Sequence, residues 1–285
     1  MIEVISAGLY TTIQDQGRFG FRNIGVPTSG AMDMNSARLA NALLDNEINA
    51  AVVEMTYNGS TLKFNTNTFV AITGANCSIT LNSQPVKMNT VIAINCDSVL
   101  KIGRALKGVR IYLAIAGGFD YPKILNSQSF YHGITPVSHI HKGDHLKIFK
   151  QCKPIINRSS IKVDNKHFDD QTINVTTGPE FKLLDKISQQ ILRKKKFKIS
   201  AQSNRMAYKL EIGDNLTETL KAKDIVTSCV QPGTVQLTPS GELIVLMRDA
   251  QTTGGYARIL QLTDDSINRL SQKTAGKLIA FSLKD

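Results

Sequence analysis

Short runs of strand-forming residues, each bounded by Gly, Asn, Asp or Pro, recur along the 285-residue chain, and this pattern most limits its fold. Phe69–Thr73, Ser78–Leu81, Val91–Ile94, Val109–Ile115, His145–Phe149, Thr172–Thr176, Val235–Leu237 and Leu243–Met247 all read as strands. Helical spacing shows in only a few places. Met34–Leu44 carries apolar residues at 34, 37, 39, 40, 43 and 44, with Asp33 placed as an N-cap. Phe181–Leu192 and the shorter Asp265–Ser271 are the others. Many strands and few helices argue for a mainly β protein with helical additions, in barrels or sandwiches, and against a βαβ sheet.

The chain also echoes itself. Ala71-Ile72-Thr73-Gly74-Ala75 with Ile79–Leu81 resembles Val175-Thr176-Thr177-Gly178-Pro179 with Phe181–Leu184. Ala116-Gly117-Gly118-Phe119 resembles Thr253-Gly254-Gly255-Tyr256, and Lys142–Phe149 resembles Ala275–Phe281. The three echoes keep one order, which suggests two related β-modules. A fourth, Pro27–Gly30 with Pro239–Gly241, breaks that order. The stretch Gln151–Gln171 is polar, contains Pro154 and has no clean period, so it reads as a linker. The expected modules are 1–155, including the N-terminal segment, and 156–285.

No apolar stretch approaches the length of a membrane span, and Met1-Ile2-Glu3-Val4 does not open a secretory signal. A cytoplasmic location without membrane association is expected. Cys77, Cys96, Cys152 and Cys229 form no CxxC pair, which rules out a structural zinc site of the usual spacing, and they read as inert thiols. The net charge of +11 is uneven: residues 140–200 hold 14 basic and 6 acidic side chains, densest at Arg193–Lys198. No interleaved aromatics or recognised nucleic-acid motif accompany that run, so it reads as a solvated helix end and no nucleic-acid partner is expected.

Familiar catalytic motifs are missing. Gly103-Arg104-Ala105-Leu106-Lys107-Gly108 has the glycine spacing of a phosphate loop, but Val109-Arg110 stands where Lys-Ser/Thr is needed, so it reads as a turn between strands. No GxGxxG opens a helix and no GxSxG is present. Pro85-Val86-Lys87-Met88 lacks the first Met of a biotin-carrier hairpin and reads as an edge lysine. His139 and His141 would share a strand face near His145, but polar strand ends produce the same pattern, and no metal site is assigned.

The Gly-rich polar stretches say more. Thr11-Thr12-Ile13-Gln14-Asp15-Gln16-Gly17-Arg18-Phe19-Gly20, Ser203-Asn204-Arg205-Met206 and Arg248-Asp249-Ala250-Gln251-Thr252-Thr253-Gly254-Gly255-Tyr256 gather Arg, Asp and Gln around glycines. Glycine lets backbone approach a ligand, Arg forks onto carboxylate or phosphate, and Asp or Gln can orient an amide or a proton. Ordinary β-turns use the same residues, and composition leaves both readings open.

With Gly25-Val26-Pro27, Gly30-Ala31-Met32-Asp33, Arg38–Leu44 and Leu113–Gly118, these segments resemble, in order and over essentially the whole chain, the family of the 5-oxoprolinase C subunit. That family is also called the Kip-inhibitor antagonist, allophanate hydrolase subunit 2 or biotin-dependent carboxyltransferase family. The resemblance implies tandem cyclophilin-like β-barrel modules. It implies a hydrolase complex in which a Kip-inhibitor-like B subunit and the C subunit phosphorylate the lactam 5-oxo-L-proline with ATP and Mg²⁺, held by or shared with the partner. The A subunit of 5-oxoprolinase joins them, and the ring opens to L-glutamate. Two alternatives stay open: a carboxyltransferase component of a urea carboxylase or allophanate-type system, the one case that needs biotin, and a non-catalytic antagonist of a kinase inhibitor. Carried onto the matching positions, the resemblance implies Asp15, Arg18, Arg205 and Asp249 as catalytic. It implies Gln14, Gly17, Gly30, Asp33, Gln251, Thr252, Gly254 and Gly255 as substrate-binding. Departures are Ser29 where the family often has Gly, and Ala207 and Lys209 where it often has Gly and Arg; Ser29 and Ala207 would be strained at φ > 0.

Overall fold

The computed structural model describes residues 1–149, 166–212, 220–221 and 225–283. The chain forms two compact units, Met1–Arg18 with Ser29–Phe168, and Phe19–Thr28 with Asp169–Asp285. Most of the expected linker, and Cys152, lie outside the described residues; the described end of that stretch carries a short helix, α2 (Lys166–Asp169).

The first unit contains β1 (Ile2–Ser6), β2 (Tyr10–Gln14), α1 (Met34–Leu43), β3 (Val52–Thr56), β4 (Thr61–Phe64), β5 (Thr68–Leu81), β6 (Gln84–Val86), β7 (Val91–Ile94), β8 (Val99–Ile115) and β9 (His145–Leu146). These nine strands form one sheet, with β2-β3-β8-β4-β1-β9 along its path and β5 pairing β6, β7 and β8. Strand alternation explains its two apolar layers. On β8, Ile111, Leu113 and Ile115 join Val53, Met55, Val70, Ile72 and Phe64 in the main core. The alternate residues Tyr112 and Ala114 face the other way, with Val52 and Ala71, and α1 packs on them through Ala37, Ala40 and Leu43. Alanines on both sides let the helix come close. Its N-cap is Asp33, whose carboxylate accepts from the Ser36 amide at 3.2 Å and the Ser36 hydroxyl at 2.6 Å.

Two expectations change here. Phe69–Thr73 and Ser78–Leu81 are one strand, β5. Gly103–Gly108 is no turn but lies inside β8, which stays paired to β5 through register shifts between Gly74 and Ile79. Bulges bend the long pair instead of ending it. Gly74 has φ +87°, and a Cβ there would meet the Arg110 carbonyl oxygen at 2.4 Å.

The second unit is a closed barrel in the order β10-β17-β14-β15-β12-β11-β18. Its strands are β10 (Thr172–Thr177), β11 (Lys196–Ile199), β12 (Ala207–Ile212), β14 (Thr234–Leu237), β15 (Leu243–Leu246), β17 (Ala257–Leu262) and β18 (Leu278–Leu283); β13 (Ser228–Cys229) pairs separately with β16 (Thr253–Gly254). β18 closes the barrel by pairing parallel to β10 and antiparallel to β11. The echoed segments take different structures: Ile79–Leu81 is strand, whereas Phe181–Leu183 is a 3₁₀ turn. The helix expected over Phe181–Leu192 breaks after that turn. Asp185 then caps a new helix, α3 (Lys186–Lys194), by accepting from the Ser188 amide at 2.6 Å. The basic run divides by periodicity. Lys196 and Lys198 face out of β11 while Phe197 enters the barrel and meets Phe281 with ring centroids 5.3 Å apart and planes tilted by 41°. Ala207 opens β12 without a positive φ, so no strain arises there.

Ser29, where the chain re-enters the first unit, has φ +56° and is fully buried, with no hydrogen-bond partner for its hydroxyl among the described residues. A left-handed non-glycine residue costs about 1–2 kcal/mol and an unpaired buried hydroxyl about as much, against about 1 kcal/mol of added chain entropy for glycine. Ser29→Gly should therefore stabilise the chain by about 1 kcal/mol in urea unfolding; a destabilised variant would contradict this reading of the turn.

Candidate functional site

In the first unit, the segment after β2 is organised by one carboxylate. Asp15 Oδ1 accepts from the Gly17 amide (2.8 Å) and the Ser127 and Ser129 hydroxyls (2.7 Å each), and Oδ2 from the Gln128 amide (2.7 Å). Arg18 has no exposed surface; its Nε donates to the Ile124 carbonyl at 3.3 Å and its Nη2 to the Ser129 carbonyl. Both side chains therefore hold 124–129 against the 15–18 turn. Gly17 has φ +102°, and a Cβ on Gly30 (φ +92°) would come within 3.0 Å of the Gln16–Gly17 backbone. Gln14 donates to Thr12 and the Phe130 carbonyl, while its buried Oε1 meets no donor among the described residues.

Asp33 serves a second polar cluster, under the start of α1. Its Oδ2 lies 2.8 Å from His167 Nε2, and its amide donates to the Tyr112 hydroxyl, which donates in turn to Glu54 Oε2 at 2.9 Å. Glu54 also accepts from the Met32 amide and lies 3.7 Å from Arg110 Nε. Burial, reinforced by the Glu54 and Asp33 charges, holds the Tyr112 phenol well above its usual range. Sequence reasoning missed Glu54, Arg110, Tyr112 and His167. The one legible signal was a glutamate inside the apolar run Val52–Thr56, where strand alternation alone would not place it.

In the second unit, Arg205 and Asp249 occupy each other. Arg205 Nε and Nη2 fork onto the Asp249 carboxylate at 2.7 and 3.0 Å, and the Asp249 amide donates to the Arg205 carbonyl. Removing either half would strand a buried charge. Lys209, at the departure from the family pattern, bonds Gln202 at 2.9 Å. Gln251 is exposed, Gly254 sits where a Cβ would meet Gln236 Nε2 at 2.6 Å, and a Cβ on Gly255 would make only ordinary contacts with the Ile225 carbonyl oxygen at 3.8 Å and Thr227 Oγ1 at 4.0 Å.

Thr252 lines a pocket of about 730 Å³ built within this unit. Its walls include Arg22, Cys229, Thr234, Thr253, Arg258 and Gln261. Arg258 grips Glu180 at 2.8 and 3.0 Å through its Nη2 and Nε. Arg22 and Arg258 are pocket residues that sequence reasoning did not select. Within the first unit, Gln14, Asp15, Gly17, Arg18 and Gly30 gather around one turn and Asp33 serves the cluster under α1; within the second, Arg205 pairs with Asp249 and Thr252 lines the pocket. Among the described residues, His139 and His141 approach with ring centroids 4.1 Å apart, outside any strand, and no group of three or more His, Cys, Asp or Glu converges to hold a metal. No described helix is long and apolar enough to cross a membrane.

The Glu180–Arg258 pair sets an acid limit on the pocket wall. The hydrogen bonds from Arg258 pull the Glu180 carboxyl below its ordinary value of 4.5. The pair therefore stabilises the fold fully above that value, and this contribution is lost as pH falls through the lowered one. Glu180→Gln should lower the melting temperature at pH 7 and flatten its fall between about pH 5 and pH 3; an unchanged acid slope would contradict this assignment.

Residues 24–283 match the family described as carboxyltransferase domain, subdomain A and B. The chain is 36% identical to the C subunit of 5-oxoprolinase from Escherichia coli (strain K12), over 99% of this chain and 90% of that protein. Its fold superposes on the crystal structure of TTHA0988 with a TM-score of 0.88 at 24% identity, covering 99% of this chain and about half (55%) of that one. It also superposes on K. lactis urea amidolyase with a TM-score of 0.86 at 27% identity, covering 98% of this chain and 18% of that one. The sheet-and-barrel architecture is shared with both structures, and the chain belongs to the carboxyltransferase domain family, subdomain A and B, together with the 5-oxoprolinase C subunit.

Proposed function

We propose that this chain is the C subunit of an ATP-dependent 5-oxoprolinase. In this reading it acts with a B subunit to phosphorylate 5-oxo-L-proline, and an A subunit completes ring opening to L-glutamate. The observation that carries the reading is the similarity to the 5-oxoprolinase C subunit along 99% of this chain and 90% of the relative, which leaves little of either unmatched. A lactam is a poor electrophile. Transfer of a phosphoryl group to its oxygen makes the ring carbon open to water and the ring nitrogen able to leave. A protein assisting that chemistry must orient the amide, neutralise growing charge and keep its loops fixed.

The side chains divide along these lines. Asp15 accepts four protein donors and Arg18 is wholly buried against carbonyls, so we assign both to positioning the 15–18 turn rather than to proton transfer. Arg205 and Asp249 brace the start of the 249–255 loop, and Thr252 presents that loop to the pocket. Asp33 fixes α1 and His167. The chain has no phosphate loop followed by Lys-Ser/Thr, so its ATP and Mg²⁺ site is of another kind or is shared with the B subunit.

The likeness to urea amidolyase favours a second reading, a carboxyltransferase component served by a separate biotin carrier. Reconstitution separates the two. The chain is combined with its A and B partners, and ADP and glutamate are measured with 5-oxoproline as substrate, omitting each component in turn. We expect turnover that disappears when this chain is left out. Turnover without it, or none from an assembled and folded complex, would overturn the 5-oxoprolinase reading.

A further inference from the structure

The pocket of the second unit contains two guanidinium groups, and among the described residues only one has a counter-ion. Arg258 is matched by Glu180. Arg22 stands on the 3₁₀ turn Arg22–Ile24, closed by left-handed Gly25, and is partly buried. Its Nη2 donates to the Val230 carbonyl and its Nη1 to the Thr28 hydroxyl at 3.4 Å, both neutral acceptors. No carboxylate among the described residues lies within ion-pair distance of it, and no Asp or Glu lines the pocket. Burial pulls the Arg22 pKa below the usual arginine value, and the one ionisable neighbour opposing that is the Cys229 thiol. Arginine stays protonated at neutral pH, so the pocket wall holds a partly desolvated positive charge that none of the described acids offsets.

Around that charge are neutral hydrogen-bonding groups. Thr252 and Thr253 are neighbours on the lining, while the Thr234 hydroxyl donates to Gln261 Oε1 at 3.0 Å and Gln261 Nε2 to the Pro232 carbonyl at 2.9 Å, so those two side chains already hold each other in place. Hydroxyls and amides beside a guanidinium fork suit a small oxyanion and offer nothing to repel it. We propose that this pocket binds a small carboxylate or phosphate group, with Arg22 as its counter-ion and the Thr252 and Thr253 hydroxyls as further contacts. The site lies wholly within one unit of this chain and does not depend on the 5-oxoprolinase reading.

The test uses the full chain and two probes, inorganic phosphate and acetate, each titrated at constant ionic strength against chloride. Binding is followed by calorimetry and by the rate at which a neutral alkylating reagent modifies Cys229, an exposed thiol on the pocket wall. Exposed Cys96, in the other unit, serves as the internal control. At least one probe should bind saturably and slow alkylation of Cys229 but not of Cys96; which probe does so tells carboxylate from phosphate. Arg22→Gln should weaken that binding about tenfold or more, Arg22→Lys less, and Lys198→Gln on the outer barrel face not at all. If Arg22→Gln does not fold, protection of Cys229 in the unaltered chain decides. Absence of saturable binding by either probe, equal protection of both thiols, or full affinity in a folded Arg22→Gln chain would overturn the proposal.

Discussion

The carboxylate of Asp15 is the constraint on which the first unit's polar architecture rests. A buried carboxylate is tolerable only when its lone pairs are answered, and here two backbone amides and two serine hydroxyls answer it. Those donors come from its own turn and from residues 127–129, more than a hundred positions away. Arg18 fastens the same distant segment through its carbonyls. The chain leaves the first unit just after Arg18 and returns at Ser29, so this small network fixes the last residues before that departure.

Much of the fold was legible because caps and periodicity act locally. Asp33 marked the start of α1 to the residue, and Val91–Ile94 emerged with the expected ends, since each depends on neighbours in sequence. What failed were features decided at a distance. Gly103–Gly108 looks like a turn until β5 lies beside it, when bulging keeps both strands paired. One miss was local instead: Phe181–Leu192 has a helical apolar spacing, but Asp185, three residues before Ser188, caps a new helix inside it.

The polar residues tell a similar story. Gly-rich segments around Asp15, Arg205 and Asp249 stood out in sequence, yet sequence could not say which partner each would find. Arg205 and Asp249 are 44 positions apart and bind one another. Tyr112 and Glu54 come from different strands and meet because alternation turns both to the face under α1. Arg22 passed unnoticed because its interest lies in the absence of an acid beside it among the described residues, which only the packed barrel reveals. Arg18, Arg205, Asp249, Asp15 and Asp33 are all consumed in holding loops and a helix start, whereas Arg22 faces no acid among the described residues.

We assign Asp15 to holding structure rather than to moving a proton. The most direct measurement compares Asp15→Asn with the unaltered chain in the assembled complex, recording both unfolding free energy and turnover per folded complex. Asparagine turns an amide N–H toward donors that need an acceptor, so stability should fall by about 2–4 kcal/mol. Turnover below the unfolding temperature should persist within a few-fold. An unchanged stability with turnover abolished would place Asp15 in the chemistry and contradict its structural role.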